Sequence, residues 1–205
     1  MKVSNIKSLS IEDVKVVTFD RFKDDRGYFT EHYNVDNITD IIGSPIKQCN
    51  ESDSHTGVIR GLHFQWNPFM GKLIRTINGH MIDIVLDIRK GSPTLGKALL
   101  YDMCTHRADN KSEWIWVPPG FAHGNIFLED TTIEYLCTGT YNSNSEAGIN
   151  PLSIDIDWSL ADKDLIDIFD TVKHNAIISS KDTKSVNLET WLNDERSNNF
   201  IYGEC

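Results

Sequence analysis

The sequence predicts an all-β sandwich or barrel followed by a short helical appendage. From about residue 14 to residue 158 the chain runs in short stretches rich in β-branched and aromatic residues, interrupted by Gly, Pro, Asn and Asp. Many short strands joined by tight turns produce that pattern. After Trp158 the texture becomes charged and helix-compatible. The expected organisation is one domain over residues 1–205, with a β core at about 14–158 and an appendage at 159–205.

The clearest strand is Met81 to Ile88. Ile82, Ile84, Leu86 and Ile88 share one face, and Met81, Asp83, Val85 and Asp87 take the other, a period of two that no helical stripe produces. Both faces carry apolar groups, and one adds carboxylates. Lys72 to Ile77, Trp114 to Val117 and Thr131 to Thr138 read as similar strands, punctuated by Asn78-Gly79, Gly91-Ser92-Pro93 and Pro118-Pro119-Gly120. Beyond Trp158, LADKDLIDIF and LETWLNDER read as short helices around an irregular stretch. They hold too few apolar residues for a core of their own.

A chain of 205 residues with 40% hydrophobic and 10% aromatic content can build a full core without disulfides or a structural metal. Cys49, Cys104, Cys137 and Cys205 form no CxxC pair, and Cys49 and Cys137 fall in expected strands, which suits reduced thiols in a cytoplasm. The N-terminal segment lacks the apolar core of a signal peptide, and no run approaches the length of a membrane span, so a soluble protein is expected. A net charge of -10 and a pI near 5.1 argue against a nucleic-acid-binding surface. A phosphate-bearing ligand would have to be held by a few local cations.

Four clusters carry chemistry. Gln48 to Gln65, QCNESDSHTGVIRGLHFQ, offers amides, hydroxyls, the guanidinium of Arg60 and the imidazole of His63 leading into a strand. An isolated histidine is most often a core residue satisfied by a carbonyl, but His63 stands in a ligand-facing inventory. The second cluster starts at Lys72, a lysine beside a glycine and an apolar strand that can point inward as a fixed cation, and contains Asp83. In the same cluster Asp87 and Arg89 read as a pair closing the strand end. WVPPGFAHGN places His123 in a P-x-G-x-x-H arrangement, and TTIEYLCTGTY places Tyr135 on the face of Ile133 and Cys137, with Tyr141 just beyond. Taken alone, Tyr135 reads as an ordinary half-buried strand tyrosine.

Together these segments resemble the dTDP-4-dehydrorhamnose 3,5-epimerases and their relatives acting on other nucleotide-linked 4-keto sugars. The resemblance runs through F-x-x-D-R-G-x-F-x-E at Phe22 to Glu31, Q-x-N-x-S-x-S-x-x-G-V-I-R-G-L-H-F-Q at Gln48 to Gln65, K-L-I-R at Lys72 to Arg75, D-I-x-x-D-I-R-x-G-S-P-T at Asp83 to Thr94 and P-x-G-F-A-H-G at Pro118 to Gly124. It implies a cupin-like jelly-roll barrel, a homodimer with residues near Arg26 reaching across it, and a nucleotide-linked 4-keto-6-deoxy sugar bound in the barrel mouth. It implies no cofactor, no metal, and a place in deoxysugar synthesis for surface polysaccharide such as lipopolysaccharide. By the same resemblance His63 is the base that removes the proton α to the ketone, Tyr135 the acid that returns one from the opposite face, and Lys72 the cation beside the enolate. Arg60 falls where the family contacts the sugar, and Arg26, Gln48, Asn50, His123 and Tyr141 fall at ligand-binding positions. Phe22 and Glu31 match residues that hold the nucleobase.

The chemistry asks for such a set independently. Inverting a carbon next to a C4 ketone needs a base on one face of the ring and a proton source on the other, and the charge gathering on the ketone oxygen needs a preplaced donor such as Lys72 or Arg60. An imidazole near pKa 6.5 serves as the base at neutral pH, and a phenol near 10 serves as the acid when a neighbour assists. Strand parity raises one difficulty. Gly61, His63 and Gln65 share a face, so Arg60 points the other way unless it precedes the strand or a bulge turns it.

The family also supplies a carboxylate for the base histidine in a late I/L-S-x-K-D segment, matched here by Ile178 to Asp182, although the connection from Trp158 is longer than usual and contains a second candidate, Asp164. Asn125 replaces the family's aromatic after A-H-G, and Trp158-Ser159 replaces a W-P pair. These departures leave open the nucleotide (dTDP, GDP or CDP), hexose against heptose, and whether C3, C5 or both invert. A metal-dependent cupin enzyme is a rival reading, because P-x-G-x-x-H is half of a cupin metal signature, but Phe64-Gln65 follow His63 where an H-x-H pair is needed. A non-catalytic sugar-binding barrel is a second rival, disfavoured by His63, Lys72, Tyr135 and Asp182 occurring together. A relative that moves the ketone between C3 and C4 is a third, disfavoured by Tyr135 and RGLHFQ.

Overall fold

The computed structural model describes residues 3–105 and 111–205. Among these residues fourteen strands are seen: β1 (Val3–Ser8), β2 (Lys15–Asp20), β3 (Phe22–Asp24), β4 (Gly27–Phe29), β5 (Gln48–Ser54), β6 (Val58–Gln65), β7 (Lys72–Asn78), β8 (His80–Asp87), β9 (Ala98–Cys104), β10 (Lys111–Val117), β11 (Phe121–Phe127), β12 (Thr131–Cys137), β13 (Glu146–Gly148) and β14 (Ile177–Ile178). The helices are α1 (Val35–Ile42), α2 (Lys163–Lys173), α3 (Ser180–Thr183) and α4 (Leu188–Asn193), with a 3-10 turn at Glu195–Asn199. One sheet has the order β1-β2-β10-β7-β12-β5 and the other β13-β6-β11-β8-β9, with β14 parallel beside β6, while β3 and β4 form a separate hairpin. Within these sheets β5 to β12 follow the orders 5-12-7-10 and 6-11-8-9, the winding of a jelly roll.

The chain buries three apolar layers. Ile74, Ile115 and Ile133 of the first sheet meet Val85, Phe121 and Phe127 of the second in the interior. On the outside of the second sheet, Ile82, Ile84 and Leu86 lie under Phe169, Leu188, Trp191 and Phe200 of the C-terminal segment. The two faces expected for residues 81–88 are therefore both apolar because both are covered. On the outside of the first sheet, Leu73, Trp114 and Leu136 are covered by Ile38 and Ile42 of α1. This helix departs from the expected unbroken run of strands. Its signal is Val35, Ile38 and Ile42 at helical spacing, too short a stripe to stand out among β-branched neighbours.

The appendage is shaped by caps. Asp162 accepts from the N–H of Asp164 at the start of α2, and Asn187 accepts from the N–H of Thr190 at the start of α4, both at 2.8 Å. At the strand end Asp87 is fully buried and receives Arg89, Ser92 and Thr94 on its two oxygens, the pair expected from sequence. All four cysteines are free. Among the described residues no helix is long and apolar enough to cross a membrane.

Trp191 is the main peg of the appendage, fully buried with its ring 4.6 Å from that of Phe64. Trp191→Ala should cost about 3–5 kcal/mol of unfolding free energy, read from urea denaturation. A second expectation concerns His32, which lies against the rings of Phe19 and Trp114 and accepts a 3.0 Å hydrogen bond on Nδ1 from Arg75. Burial, with the charges of Arg75 and Arg21, lowers its pKa to about 4. Between about pH 6.5 and 4 the unfolded chain therefore binds a proton that folded His32 refuses, so stability falls as pH drops through that window. His32→Asn should flatten the fall in urea midpoint measured across it.

Candidate active site

A cleft opens between the two sheets. One part, about 490 Å³, is lined by His63, Arg60, His123, Asn125 and Asp182 on one side and by Lys72 and Tyr135 on the other. A second part, about 360 Å³, shares His63, Lys72 and Tyr135 and adds Gln48, Asn50, Tyr141 and Glu146. The strand winding explains the set. β6 and β11 of one sheet carry the two histidines, and β7 and β12 of the other carry the lysine and the tyrosine.

A bulge in β6 settles the parity of Arg60. His63 lies opposite His123 and Arg60 opposite Asn125, so Gly61 and Leu62 together face the single residue Gly124. Arg60 and His63, three positions apart, both reach the cleft, while Ile59 and Leu62, also three apart, both join the outer apolar layer. Glycine is required on both strands here. Gly61 has φ of 105°, and a Cβ on Gly124 would lie 2.4 Å from the Arg60 carbonyl oxygen. The Arg60 guanidinium donates to Ser54 Oγ at 2.8 Å and to the Asp53 carbonyl at 3.0 Å.

His63 Nε2 lies 2.6 Å from Asp182 Oδ1. Asp182 is 3% exposed, and its other oxygen accepts from the Gly61 N–H at 3.3 Å. Burial works to raise its pKa, but the His63 hydrogen bond and charge, with the Gly61 N–H, hold it below the usual carboxylate value. An ionised Asp182 can only accept, so in the neutral imidazole Nε2 carries the proton and Nδ1 the lone pair, and Nδ1 has no partner among the described residues. Asp164, the other candidate, is exposed in the first turn of α2. The longer connection after Trp158 is taken up by α2 on the outer face of the second sheet, and β14 then returns the chain beside β6 to deliver Asp182.

A second histidine and carboxylate pair stands next to the first. His123 Nε2 is 2.7 Å from Asp83 Oδ1, which Asn125 Nδ2 also approaches. Burial lowers the His123 pKa against the pull of Asp83, and the charges of Lys72 and His63 lower it further. Asp83 is fully buried and its Oδ2 has no hydrogen-bond partner. As the partner of His123 it was missed by sequence reasoning. Its signal was a carboxylate on the inward face of a strand apolar on both sides.

Across the cleft the Lys72 ammonium has no partner among the described residues. Burial lowers its pKa, opposed by Cys137, Glu146 and Asp83. Burial raises the Tyr135 phenol, Cys137 adds to the rise, and Arg60 opposes it. In the second part Gln48 Nε2 donates to Asn50 Oδ1 at 3.0 Å, and the Tyr141 N–H donates to Gln48 Oε1 at 2.8 Å. Phe22, Arg26 and Glu31 are not brought to this cleft. Phe22 and Arg26 lie exposed on the β3–β4 hairpin, Arg26 pairs with Asp24 at 2.6 Å, and Glu31 accepts from Asn34 at 2.9 Å. Among the described residues no three His, Cys, Asp or Glu side chains gather as a metal site.

Known proteins resemble this chain in sequence and fold. A family model described as dTDP-4-dehydrorhamnose 3,5-epimerase matches residues 8–190. The chain belongs to the dTDP-4-dehydrorhamnose 3,5-epimerase family. A dTDP-4-dehydrorhamnose 3,5-epimerase of Shigella flexneri is 37% identical over 172 residues, covering 78% of this chain and 93% of that protein. A dTDP-4-dehydrorhamnose 3-epimerase of Streptomyces niveus is 35% identical over 75% of each chain. The crystal structure of a dTDP-6-deoxy-D-glucose-3,5-epimerase of Legionella pneumophila, in complex with dTDP-4-keto-L-rhamnose, superposes with a TM-score of 0.78 at 29% identity, covering 96% of this chain and 97% of that one. The jelly roll is the cupin-like fold of this epimerase family, and the chain is an isomerase of deoxysugar biosynthesis.

In an epimerase built this way, loss of the carboxylate on His63 should impair turnover more than binding, because Asp182 sets the tautomer of the imidazole. Asp182→Asn should lower kcat by at least about tenfold and Asp164→Asn should leave it unchanged, as steady-state kinetics of the two variants will show.

Proposed function

We propose that the chain inverts C3, C5 or both in a nucleotide-linked 4-keto-6-deoxy sugar, by removing a proton next to the ketone and returning one to the opposite face. One observation carries the reading: His63 and Tyr135 enter a single cleft from opposite sheets, with the Lys72 ammonium, which has no partner among the described residues, on the wall of Tyr135. His63 Nδ1 takes the α proton while Asp182 stabilises the imidazolium. Lys72 receives the charge that gathers on the ketone oxygen, and Tyr135 delivers the new proton. Arg60, Gln48, Asn50, His123 and Tyr141 hold the sugar and diphosphate. The nucleotide is dTDP, as in the Shigella and Legionella relatives.

Phe22 and Glu31 hold the nucleobase, and Arg26 reaches the same ligand from across a homodimer. The hairpin that carries Phe22 and Arg26 is 50% exposed at Phe22, 57% at Tyr28 and 68% at Phe29, an apolar load that a second copy would cover. Residues 1–205 act as one epimerase domain of the cytoplasm, without a cofactor or metal, and the product feeds surface polysaccharide such as lipopolysaccharide.

The test is incubation with dTDP-, GDP- and CDP-linked 4-keto-6-deoxy sugars in D2O, with NMR reading which carbons take up deuterium. Exchange at C3 alone would align the chain with the Streptomyces niveus relative, and exchange at both with the Shigella relative. His63→Ala should slow exchange by about a hundredfold to ten-thousandfold while nucleotide binding persists. Tyr135→Phe should still exchange at one centre but yield little inverted product. Wild-type exchange in the His63 variant would overturn the assignment.

A further inference from the structure

We propose that Asn125, with Ser52, sets the sugar specificity of the cleft by receiving a hydroxyl on the side of the ring remote from the diphosphate. That hydroxyl is the one on C3 or one on the carbon attached at C5. The inference rests on the epimerase reading and deepens it by the class of sugar accepted. Asn125 stands where the resemblance to the family calls for an aromatic after Ala122-His123-Gly124, so the polarity of this end is a property of this chain.

The strand registers arrange the first part of the cleft in layers. Tyr135 lies opposite Asn50 and His63 opposite His123, and one step along the same four strands Ile133 lies opposite Ser52 and Arg60 opposite Asn125. Alternate residues on a strand stand roughly 7 Å apart, a distance that a ring carbon, its hydroxyl and a hydrogen bond can cover. A carbon reacting between His63 and Tyr135 therefore has neighbouring substituents that reach the layer of Ser52 and Asn125. On the epimerase reading the diphosphate on C1 lies toward Gln48, Asn50 and Tyr141 in the second part. The substituents left for the layer of Asn125 are those farthest from C1.

The amide of Asn125 has one orientation, because Asp83 fixes it. Nδ2 donates to Asp83 Oδ1 and approaches Met81 Sδ at 3.4 Å, so the donor end is spent inside the wall. The carbonyl oxygen takes no hydrogen bond from a described residue, and it is not among the sealed side-chain atoms that lack a partner, so it opens to the cleft that Asn125 lines. Ser52 lines the same part, and its hydroxyl is sealed and has no partner. Arg60 stands between them but is engaged, donating to Ser54 Oγ and the Asp53 carbonyl. The layer thus offers an acceptor without a donor. A sugar hydroxyl supplies one, giving its proton to Asn125 and accepting from Ser52 once that side chain turns to the cleft. A methyl, a ketone oxygen or an ionised phosphate brings no proton and would leave the Asn125 carbonyl dry and unpaired, the costly state for a buried acceptor.

Calorimetric titration with sugar nucleotides that lack the ketone, and so bind without reacting, tests this. The probes are dTDP-6-deoxy-D-glucose, its 3-deoxy analogue, and dTDP-D-glucose, which adds a hydroxyl on C6. The wild type should bind the probe that carries the recognised hydroxyl about tenfold more tightly than the one that lacks it. A loss with the 3-deoxy analogue identifies the 3-hydroxyl, and a gain with dTDP-D-glucose identifies the side-chain hydroxyl. Asn125→Leu and Ser52→Ala should each reduce the preference to less than about threefold. Removing the Ser52 hydroxyl breaks no hydrogen bond among the described residues, so Ser52→Ala should keep its urea midpoint, and it decides the matter if Asn125→Leu loses its fold. Equal binding of the three probes by the wild type, or a preference that stays above about threefold in either folded variant, overturns the proposal and leaves the epimerase reading in place. Binding of none of the three overturns both.

Discussion

The cleft is organised by one short contact, the 2.6 Å bond between His63 and Asp182. These residues are far apart in the chain, and every device between them serves that meeting. The bulge at Gly61-Leu62 turns His63 and Arg60 to the same side and presents the Gly61 N–H to the second Asp182 oxygen. The caps and α2 carry the chain around the outside of the second sheet, and β14 adds to its edge just before α3. A buried carboxylate without such partners would shift its pKa and neutralise. Here it stays ionised, and that in turn decides which imidazole nitrogen is free.

The second sheet, which carries His63, is buried on both faces. Its inner face carries the histidines and the interior apolar layer, and its outer face is closed by Phe169, Leu188, Trp191 and Phe200. A half-exposed antiparallel sheet would show apolar and polar residues in clean alternation. The run at 81–88 instead shows apolar residues on both faces, and the C-terminal segment provides the second cover. The appendage is therefore structural support for the site as well as the source of Asp182.

The elements legible in the sequence were those whose signal is local. Local patterning placed strands at 72–77, 81–88 and 131–138, close to those observed at 72–78, 80–87 and 131–137, and alternation put Asp83 on the face of Met81 and Val85, which the fold turns inward. Sequence reasoning also left two questions that geometry alone decides. The orientation of Arg60 depends on a bulge, which parity cannot show but which the close approach of Gly61 and Gly124 requires. The partner of His63 depends on where a long connection returns, and Asp162-Lys163-Asp164 carries as much local charge as Ser180-Lys181-Asp182. The pairing of Asp83 with His123 was hidden for the same reason, since β8 and β11 become neighbours only through the jelly-roll winding.

Charge within the cleft runs against charge of the whole chain. The protein is acidic, at -10, yet the walls that meet the proposed ligand present Arg60 on neutral acceptors and Lys72 on no acceptor among the described residues. Most cationic side chains elsewhere that the structure pairs are matched to carboxylates, as Arg75 is to Glu134, Arg89 to Asp87 and Arg196 to Asp194. A cation without a counter-charge in a partly buried wall is unfavourable until an anion arrives, and the lowered pKa of Lys72 expresses that cost. In the proposed reaction, a ketone oxygen turning into an enolate, beside a diphosphate, would supply the missing charge. Because that charge would be largest in the transition state, Lys72 in the proposed role would favour the reacting form over the resting sugar, which is the condition for raising turnover as well as affinity.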